Sequence, residues 1–447
     1  ALRDAGLSVS TSHEIVATRG EYERGLATWL NAWLSPKVAD YLQRLQQATR
    51  PAPLAIMQSH GGTIASEQAA AQAVNLLLSG PAGGLAAAHR LGEQLQQPNL
   101  MTFDMGGTST DVALLDGAIR LTQQGRIGPY PVAVPMVDMH TIGAGGGSLA
   151  YVDEAGLLHV GPQSAGASPG PACYGQGGTQ VTVTDANVVL GRLQPAFALG
   201  GSLQLDVAAA NAAMARLGKA LGLSVQETAE GVLALANEHM TQALRVISIQ
   251  KGHDPADFAL MSFGGAGGLH VCALADNLGM RRAIVPQRAG VLSAEGLVYA
   301  PRKRELLQAL ADNASEAQLL ALRQQLEEQG SQELQAEGVD AQDLQFQTFV
   351  EMCYRGQSSV LQVIWRDDPA ERESAFHAAH EQRFGHRLGL PVQQVNLRVQ
   401  VLANSHTPDS PALTAEAGKP SGHAQLPGID TPVALFQRES LGAGQRL

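Results

Sequence analysis

The chain has 447 residues, a net charge of −11 and 49 glycines, with aromatic residues at only 4%. That length suffices for two or three domains with large cores, and the acidic balance argues against nucleic acid or an anionic membrane as a partner. Three cysteines, 173, 272 and 353, are odd in number and far apart, which argues against a disulfide framework. No 18-residue apolar run and no signal peptide are present, so the expectation is a soluble, cytoplasmic protein.

Residues 20–48 carry apolar side chains at Leu26, Trp29, Leu30, Trp33, Leu34, Val38 and Leu42, a helical period. Pro36 interrupts it, which predicts two helices or a kink. Residues 54–57 read as a short buried strand leading into Gln58-Ser-His-Gly-Gly-Thr63, a turn at a strand's C-terminal end of the kind that borders ligands in α/β sheets. His60 there is open to two readings, a substrate contact or a structural turn histidine. Ser79-Gly-Pro-Ala-Gly-Gly84 places Pro81 in a first helical turn among small residues. Such a helix begins against a ligand or packs closely on a neighbour.

The most informative stretch runs from Leu100 to Gly117. An apolar run ends at Phe103, Asp104 follows, then Gly106, Gly107, Thr108, Ser109, Thr110 and a second carboxylate, Asp111, before Val112 to Leu115. The pattern predicts strand, tight turn, strand. The glycines let backbone N–H groups reach an anion, and the hydroxyls add donors. A carboxylate at the end of a buried strand is costly unless it holds a metal, water or a donor. The set suits a polyphosphate with Mg²⁺; an ordinary Gly-turned hairpin with capping Asp residues has the same pattern.

Thr141-Ile-Gly-Ala-Gly-Gly-Gly-Ser148 is the densest glycine run. Just before it, Asp138 and His140 alternate onto one face of an extended segment, about 7 Å apart along it. They suit two metal ligands, or a ligand and a general base. Cys173, on a Pro- and Gly-bounded loop, is the candidate third ligand, and the trio would suit Zn²⁺ or another transition metal. Asp185 is either a fourth ligand or a helix cap. A buried hydrogen-bonded loop network without metal is the competing reading.

Residues 202–251 are expected to be helical, with Ser202 and Asp206 at one start and Ser224 with Glu227 as a capping box for a second helix. Residues 258–263 form a strand that opens into Gly264, Gly265, Ala266, Gly267 and Gly268, then a helix from Leu269; backbone there can approach an anion or a flat ring. Residues 304–337 predict a surface helix pair. Residues 346–354 and 358–365 predict a β-hairpin, followed by a helix over 368–384 and a strand over 395–403. His377, His380 and His386 suit an exposed helix face. Residues 404–425 read as a linker.

The hairpin resembles the phosphate hairpin of the actin, sugar-kinase and heat-shock chaperone ATPases. Ser79–Gly84 followed by Phe103–Asp111 narrows this, and resembles the hydantoinase A/5-oxoprolinase family over nearly the whole chain. The resemblance implies an α/β fold with a ribonuclease-H-like (actin-like ATPase) core and a smaller α+β domain toward the C-terminus. It divides the chain into 1–50, a helical segment continuing from an absent N-terminal lobe; 51–300, the nucleotide-binding core; 301–403, the α+β domain; and 404–447, a linker and the start of a further domain. It makes Gly264 to Gly267 the adenosine motif and Gly106 to Thr110 the phosphate motif. The implied activity is ATP-dependent hydrolysis of a cyclic amide, a hydantoin or 5-oxoproline, through phosphorylation of the amide oxygen. Asp104 and Asp111 would hold Mg²⁺ or orient the nucleophile. The implied partner is a subunit of hydantoinase B type. The module also resembles subunits of ATP-dependent ketone carboxylases, and a nucleotide-operated interaction module is a third reading.

Overall fold

In a computed structural model, residues 2, 4–16, 21–52, 54–122, 125–127, 130–195, 200, 203–312, 314–357, 360–403 and 418–446 are described. The chain forms two compact units, each assembled from separated segments. The first comprises 1–83, 121–137 and 297–407, and the second 84–120, 138–296 and 408–447.

In the first unit a six-stranded sheet has the order Ala55–Met57, Thr63–Ala65, Arg302–Ala309, Val392–Ala403, Leu344–Tyr354, Leu361–Ile364. Thr63 pairs in parallel with Arg302, and the long strands pair antiparallel. Residues 51–83 therefore join the C-terminal sheet, which differs from the consecutive division at residues 50, 300 and 403. Leu397, Val399, Val401, Val350 and Met352 face an apolar cluster with Leu319, Leu326 and Leu334 of helix Glu316–Ala336 and Phe376 of helix Pro369–Phe384. The opposite register positions carry Lys303, Glu351, Asn396 and Arg398, all buried, and Glu305, whose side chain is buried. Period-two alternation thus sorts an apolar face from a charged one.

Three expectations change here. Residues 302–309 are a strand; pairing with Val392–Ala403 along its whole length overrides the local Leu- and Glu-rich helical signal, and one helix, Glu316–Ala336, follows in place of a pair. Glu21–Thr49 is one helix with Pro36 inside it, which removes the two-helix alternative but not a kink. Its buried stripe is Ala27, Asn31, Ser35 and Leu42, whereas Trp29 and Trp33 are more than half exposed. Asn31 replaces the expected apolar anchor by bonding the Ala71 carbonyl and the Val74 N–H. His380 is buried, not on an exposed face: its Nδ1 meets the His386 carbonyl at 2.8 Å. The predicted hairpin forms as Leu344–Tyr354 with Leu361–Ile364, while its residue Ser358 lies outside the described residues, as does the linker over 404–417.

In the second unit a five-stranded sheet has the order Ala283–Ile284, Ala259–Phe263, Asn99–Met105, Thr110–Asp116, Met139–Ile142. The first three are parallel, and the rest are antiparallel. One face carries Met101, Phe103, Val112 and Leu114 and packs on helix Val225–Ile247 through Val232, Ala236 and Met240. The other carries Leu100, Leu115 and Met261 and packs on Ala87, Ala88 and Leu292. Asp206 caps helix Val207–Leu221, and Ser224 with Glu227 forms the predicted capping box; Ser202 lies outside the described residues. No helix among the described residues is long and apolar enough to cross a membrane.

Candidate nucleotide and phosphoryl-transfer site

The predicted hairpin is present: Asn99–Met105 pairs with Thr110–Asp116 from Asn99↔Asp116 to Met105↔Thr110. The turn is Gly106 to Ser109, closed by Gly106 N–H donating to the Ser109 carbonyl at 3.0 Å. Gly107 and Thr108 at its tip are exposed, and the Thr110 hydroxyl is buried against the Ala144 carbonyl at 2.5 Å.

Register brings the two carboxylates together. Asp104 is the cross-strand partner of Asp111, and directly opposed residues share a face. Both are half-buried. Burial pushes the Asp104 carboxyl above its usual range and the neighbouring Asp111 adds to this, against a hydrogen bond from the Ser293 hydroxyl at 3.2 Å. Burial likewise raises Asp111, against the Thr141 hydroxyl at 2.6 Å. The pair is an anionic site short of positive charge, which is the condition a divalent cation relieves.

Two glycine segments shape this end of the sheet. Gly146 N–H donates to the Gly106 carbonyl at 3.1 Å and Gly147 N–H to the Gly107 carbonyl at 2.7 Å. A Cβ on Gly145 would stand 2.7 Å from the Thr108 backbone nitrogen. The dense glycine run is therefore a backbone buttress under the turn, not freedom to wrap a metal. The Gly264 to Gly268 loop follows strand Ala259–Phe263, which lies parallel to Asn99–Met105. Ala266 N–H donates to the Met105 carbonyl at 3.0 Å. Gly264 has φ of +81°, and a Cβ there would run into the Asp104 carboxyl. Gly265 is exposed with open space around it. At the loop's far end a cavity of about 500 Å³ is lined by Gly268, Leu269, Ala273, Leu426 and Pro427, with Arg192 and Glu230 among its polar residues. Its size and apolar walls suit a flat ring. The 3₁₀ turn Gly267–Leu269 precedes the seven-residue helix Val271–Asn277.

The expected metal set does not assemble. Among the described residues no three His, Cys, Asp or Glu side chains converge to hold a metal. Asp138 pairs with Lys251 Nζ at 2.7 Å. Cys173 is fully buried, and burial and Asp185 push its thiol up, away from the thiolate a metal needs. Asp185 is a cap and loop clasp: it accepts from the N–H groups of Ala172, Cys173 and Thr182. His140 is the cross-strand partner of Val112, whose side chain faces the apolar core, so it lies on the sheet face opposite Asp111. This removes it from the carboxylate pair as a general base. Ser293 and Thr141, which do touch the pair, carried no sequence signal of their own. Ser293 lies within a Gly-bounded stretch, 290–296, whose meaning depends on the fold.

The family model for hydantoinase/oxoprolinase matches residues 24–305. The chain is 36% identical to caprolactamase subunit alpha of Pseudomonas jessenii, over 97% of its own length and 66% of that protein's. It is 32% identical to 5-oxoprolinase 1 of Arabidopsis thaliana, over 88% and 32% of the two lengths. The crystal structure of the ATP-dependent caprolactamase from Pseudomonas jessenii superposes with a TM-score of 0.86 at 34% identity, covering 99% of this chain and 68% of that one. Nucleotide-free acetone carboxylase superposes at 0.79 with 26% identity, covering 100% and 68%. The chain thus spans two thirds or less of the length of these curated relatives. The mixed α/β architecture of actin-like ATPase type is the one expected from the hairpin, and by motif, sequence and fold the chain belongs to the hydantoinase/oxoprolinase family.

Proposed function

We propose that this chain is the nucleotide-binding part of an ATP-dependent cyclic amide hydrolase. The observation that carries this is the Asp104–Asp111 pair, raised by burial, beside a turn whose tip, Gly107 and Thr108, is exposed. The Gly106 to Ser109 turn binds the polyphosphate, Thr110 having its hydroxyl taken by the Ala144 carbonyl, and the Gly264 to Gly268 loop with its adjoining cavity takes the adenosine. Asp104 and Asp111 fit Mg²⁺, which neutralises charge on the transferring phosphoryl group. An amide is a poor electrophile because its nitrogen lone pair is delocalised onto oxygen. Its oxygen attacks the γ-phosphorus, ADP leaves, and the O-phosphorylated carbon then accepts water. Collapse of that adduct expels the ring nitrogen, which takes up a proton, and opens the ring to an acyl phosphate; a second water then hydrolyses the acyl phosphate to carboxylate and phosphate. Ser293 and Thr141 hold the two carboxylates in place through hydrogen bonds. A partner subunit of hydantoinase B type completes the enzyme, in keeping with the subunit designation of the caprolactamase relative.

The likeness to acetone carboxylase supports a second reading, in which the same module activates a ketone or bicarbonate. A panel of neutral lactams, hydantoins, 5-oxoproline and ketones with bicarbonate, scored by ADP release from the full-length complex, separates them. Ring-dependent ADP release with one ring opened per ADP is expected. ADP release only with a ketone and bicarbonate would replace the hydrolase reading with the carboxylase one.

A further inference from the structure

The first unit contains a cavity of about 480 Å³ that the phosphoryl-transfer chemistry leaves unexplained. Its size is that of a small-molecule site, but its wall is unusual in being built from carboxamides. Gln58, Gln68, Gln72, Asn75, Gln308 and Gln329 all line it.

Three of these carboxamides are oriented by their protein partners. His60 Nδ1 accepts from the Gly62 N–H, so its Nε2 carries the proton and donates to Gln58 Oε1 at 2.9 Å. A guanidinium can only donate, so Arg304 Nη2 fixes Gln68 Oε1 as its acceptor, at 2.9 Å. Asn75 Nδ2 donates to Gln72 Oε1 at 3.2 Å. In each case the oxygen is taken. Among the described residues the NH₂ groups of Gln58, Gln68 and Gln72 have no protein acceptor, and Asn75 Oδ1 has no protein donor. The wall therefore offers an excess of N–H donors together with a carbonyl acceptor. That is the complement of a ring amide, which presents one C=O and one N–H on the same edge.

Charge selects among ring amides. Three carboxylates, Glu14, Glu305 and Glu333, line the cavity against one guanidinium, Arg304. Arg304 is already paired with Glu333 and Glu337, and Glu305 is held by Lys303 and Arg398. A ligand bearing its own carboxylate would have to compete for Arg304 with Glu333 and Glu337, which already engage it.

We infer that this cavity, walled by Gln58, Gln68, Gln72 and Asn75, binds a neutral cyclic amide in preference to one that carries a carboxylate. This rests on the cyclic amide reading for the ligand class, but it concerns recognition and not turnover.

The test is therefore direct binding without nucleotide. Calorimetry and ligand-observed NMR on residues 1–447 would use hydantoin and ε-caprolactam as neutral probes and 5-oxoproline as the anionic one. The neutral rings are expected to bind at least about tenfold more tightly than 5-oxoproline. Gln72→Met and Asn75→Leu, each removing one member of the set, should weaken neutral-ring binding by about tenfold while leaving the unfolding midpoint and nucleotide affinity near wild type. No detectable neutral-ring binding, wild-type affinity in both variants, or equal affinity for 5-oxoproline would each overturn the inference. Those results would leave the hydrolase reading intact, because it stands on ring-dependent ADP release. Conversely, tight ring binding with no ADP release would sustain the cavity and sink the hydrolase.

Discussion

Asp104 and Asp111 link stability to activity. A carboxyl raised in the folded state binds a proton more readily there than in the unfolded chain, so stability falls as pH climbs from the unfolded value, near 3.8, through the raised folded one. Neutralising either residue removes that cost. Asp104→Asn and Asp111→Asn should therefore unfold at or above the wild-type temperature at pH 7, with the difference vanishing in acid. In the full-length enzyme each should lower ATP turnover by at least about tenfold. Thermal melts across pH, paired with ADP release, check both halves; wild-type turnover in both variants would refute the role of the pair. The buried histidines act in the opposite sense. Burial lowers His60 and His270 from 6.5 to about 4, so folding disfavours their protonated forms. Stability present above pH 6.5 is lost as pH falls toward 4, at roughly 3 kcal/mol per group by the lower end. A melting temperature that drops between pH 6.5 and 4, and drops less in His270→Gln, is the expected result.

Neighbouring glycines separate backbone strain from ligand approach at the scale of the loop. A side chain at Gly264 collides with Asp104 and demands a positive φ, whereas Gly265 has open space. Gly264→Val should lose thermal stability. Gly265→Val should fold normally yet bind nucleotide at least about tenfold more weakly, because only a ligand would occupy that space; unchanged affinity by calorimetry would remove the adenosine assignment. Gly145→Val should act through the hairpin turn, since its new atoms meet backbone at Gly107 and Thr108. Why the hairpin was legible in sequence while its surroundings were not follows from distance along the chain. Both strands, the turn and both carboxylates lie within 18 contiguous residues, 99–116, so alternation and turn chemistry sufficed. Ser293 reaches Asp104 from 189 positions away, and nothing local marks it. His140 was placed by alternation on its own strand, but which face it occupies is set by pairing with Val112, and a one-residue shift would have reversed it. Residues 304–309 of the strand Arg302–Ala309 read as helix because they open a Leu-, Gln- and Glu-rich run with helical spacing. In the fold Lys303 and Glu305 are buried in a paired cluster with Arg398 and Glu351, a cancellation that single-sequence patterning cannot anticipate.

The chain as a whole carries one Asp-x-Gly-Gly-Thr hairpin, at Asp104 to Thr108, and no second one among its 447 residues. The caprolactamase relative is longer, with this chain covering 66% of it. Phosphoryl transfer depends on positioning and on charge stabilisation from every side of the γ-phosphate. Under the proposed function, one hairpin and one carboxylate pair would meet the phosphates from a single sheet edge only. Residues 1–447 alone should therefore bind ATP measurably and hydrolyse it slowly, with little stimulation by any ring amide. Under the proposed function, a longer chain that carries a second phosphate hairpin, assayed with a partner subunit, should raise ring-dependent turnover by at least about a hundredfold, the scale of losing one preorganised set of phosphate donors. Steady-state ADP release by the two preparations at matched nucleotide occupancy is the decisive measurement. Equal turnover would mean that the hairpin, the Gly264 loop and the Asp104–Asp111 pair are catalytically sufficient, and the requirement for a second phosphate-binding element would fall.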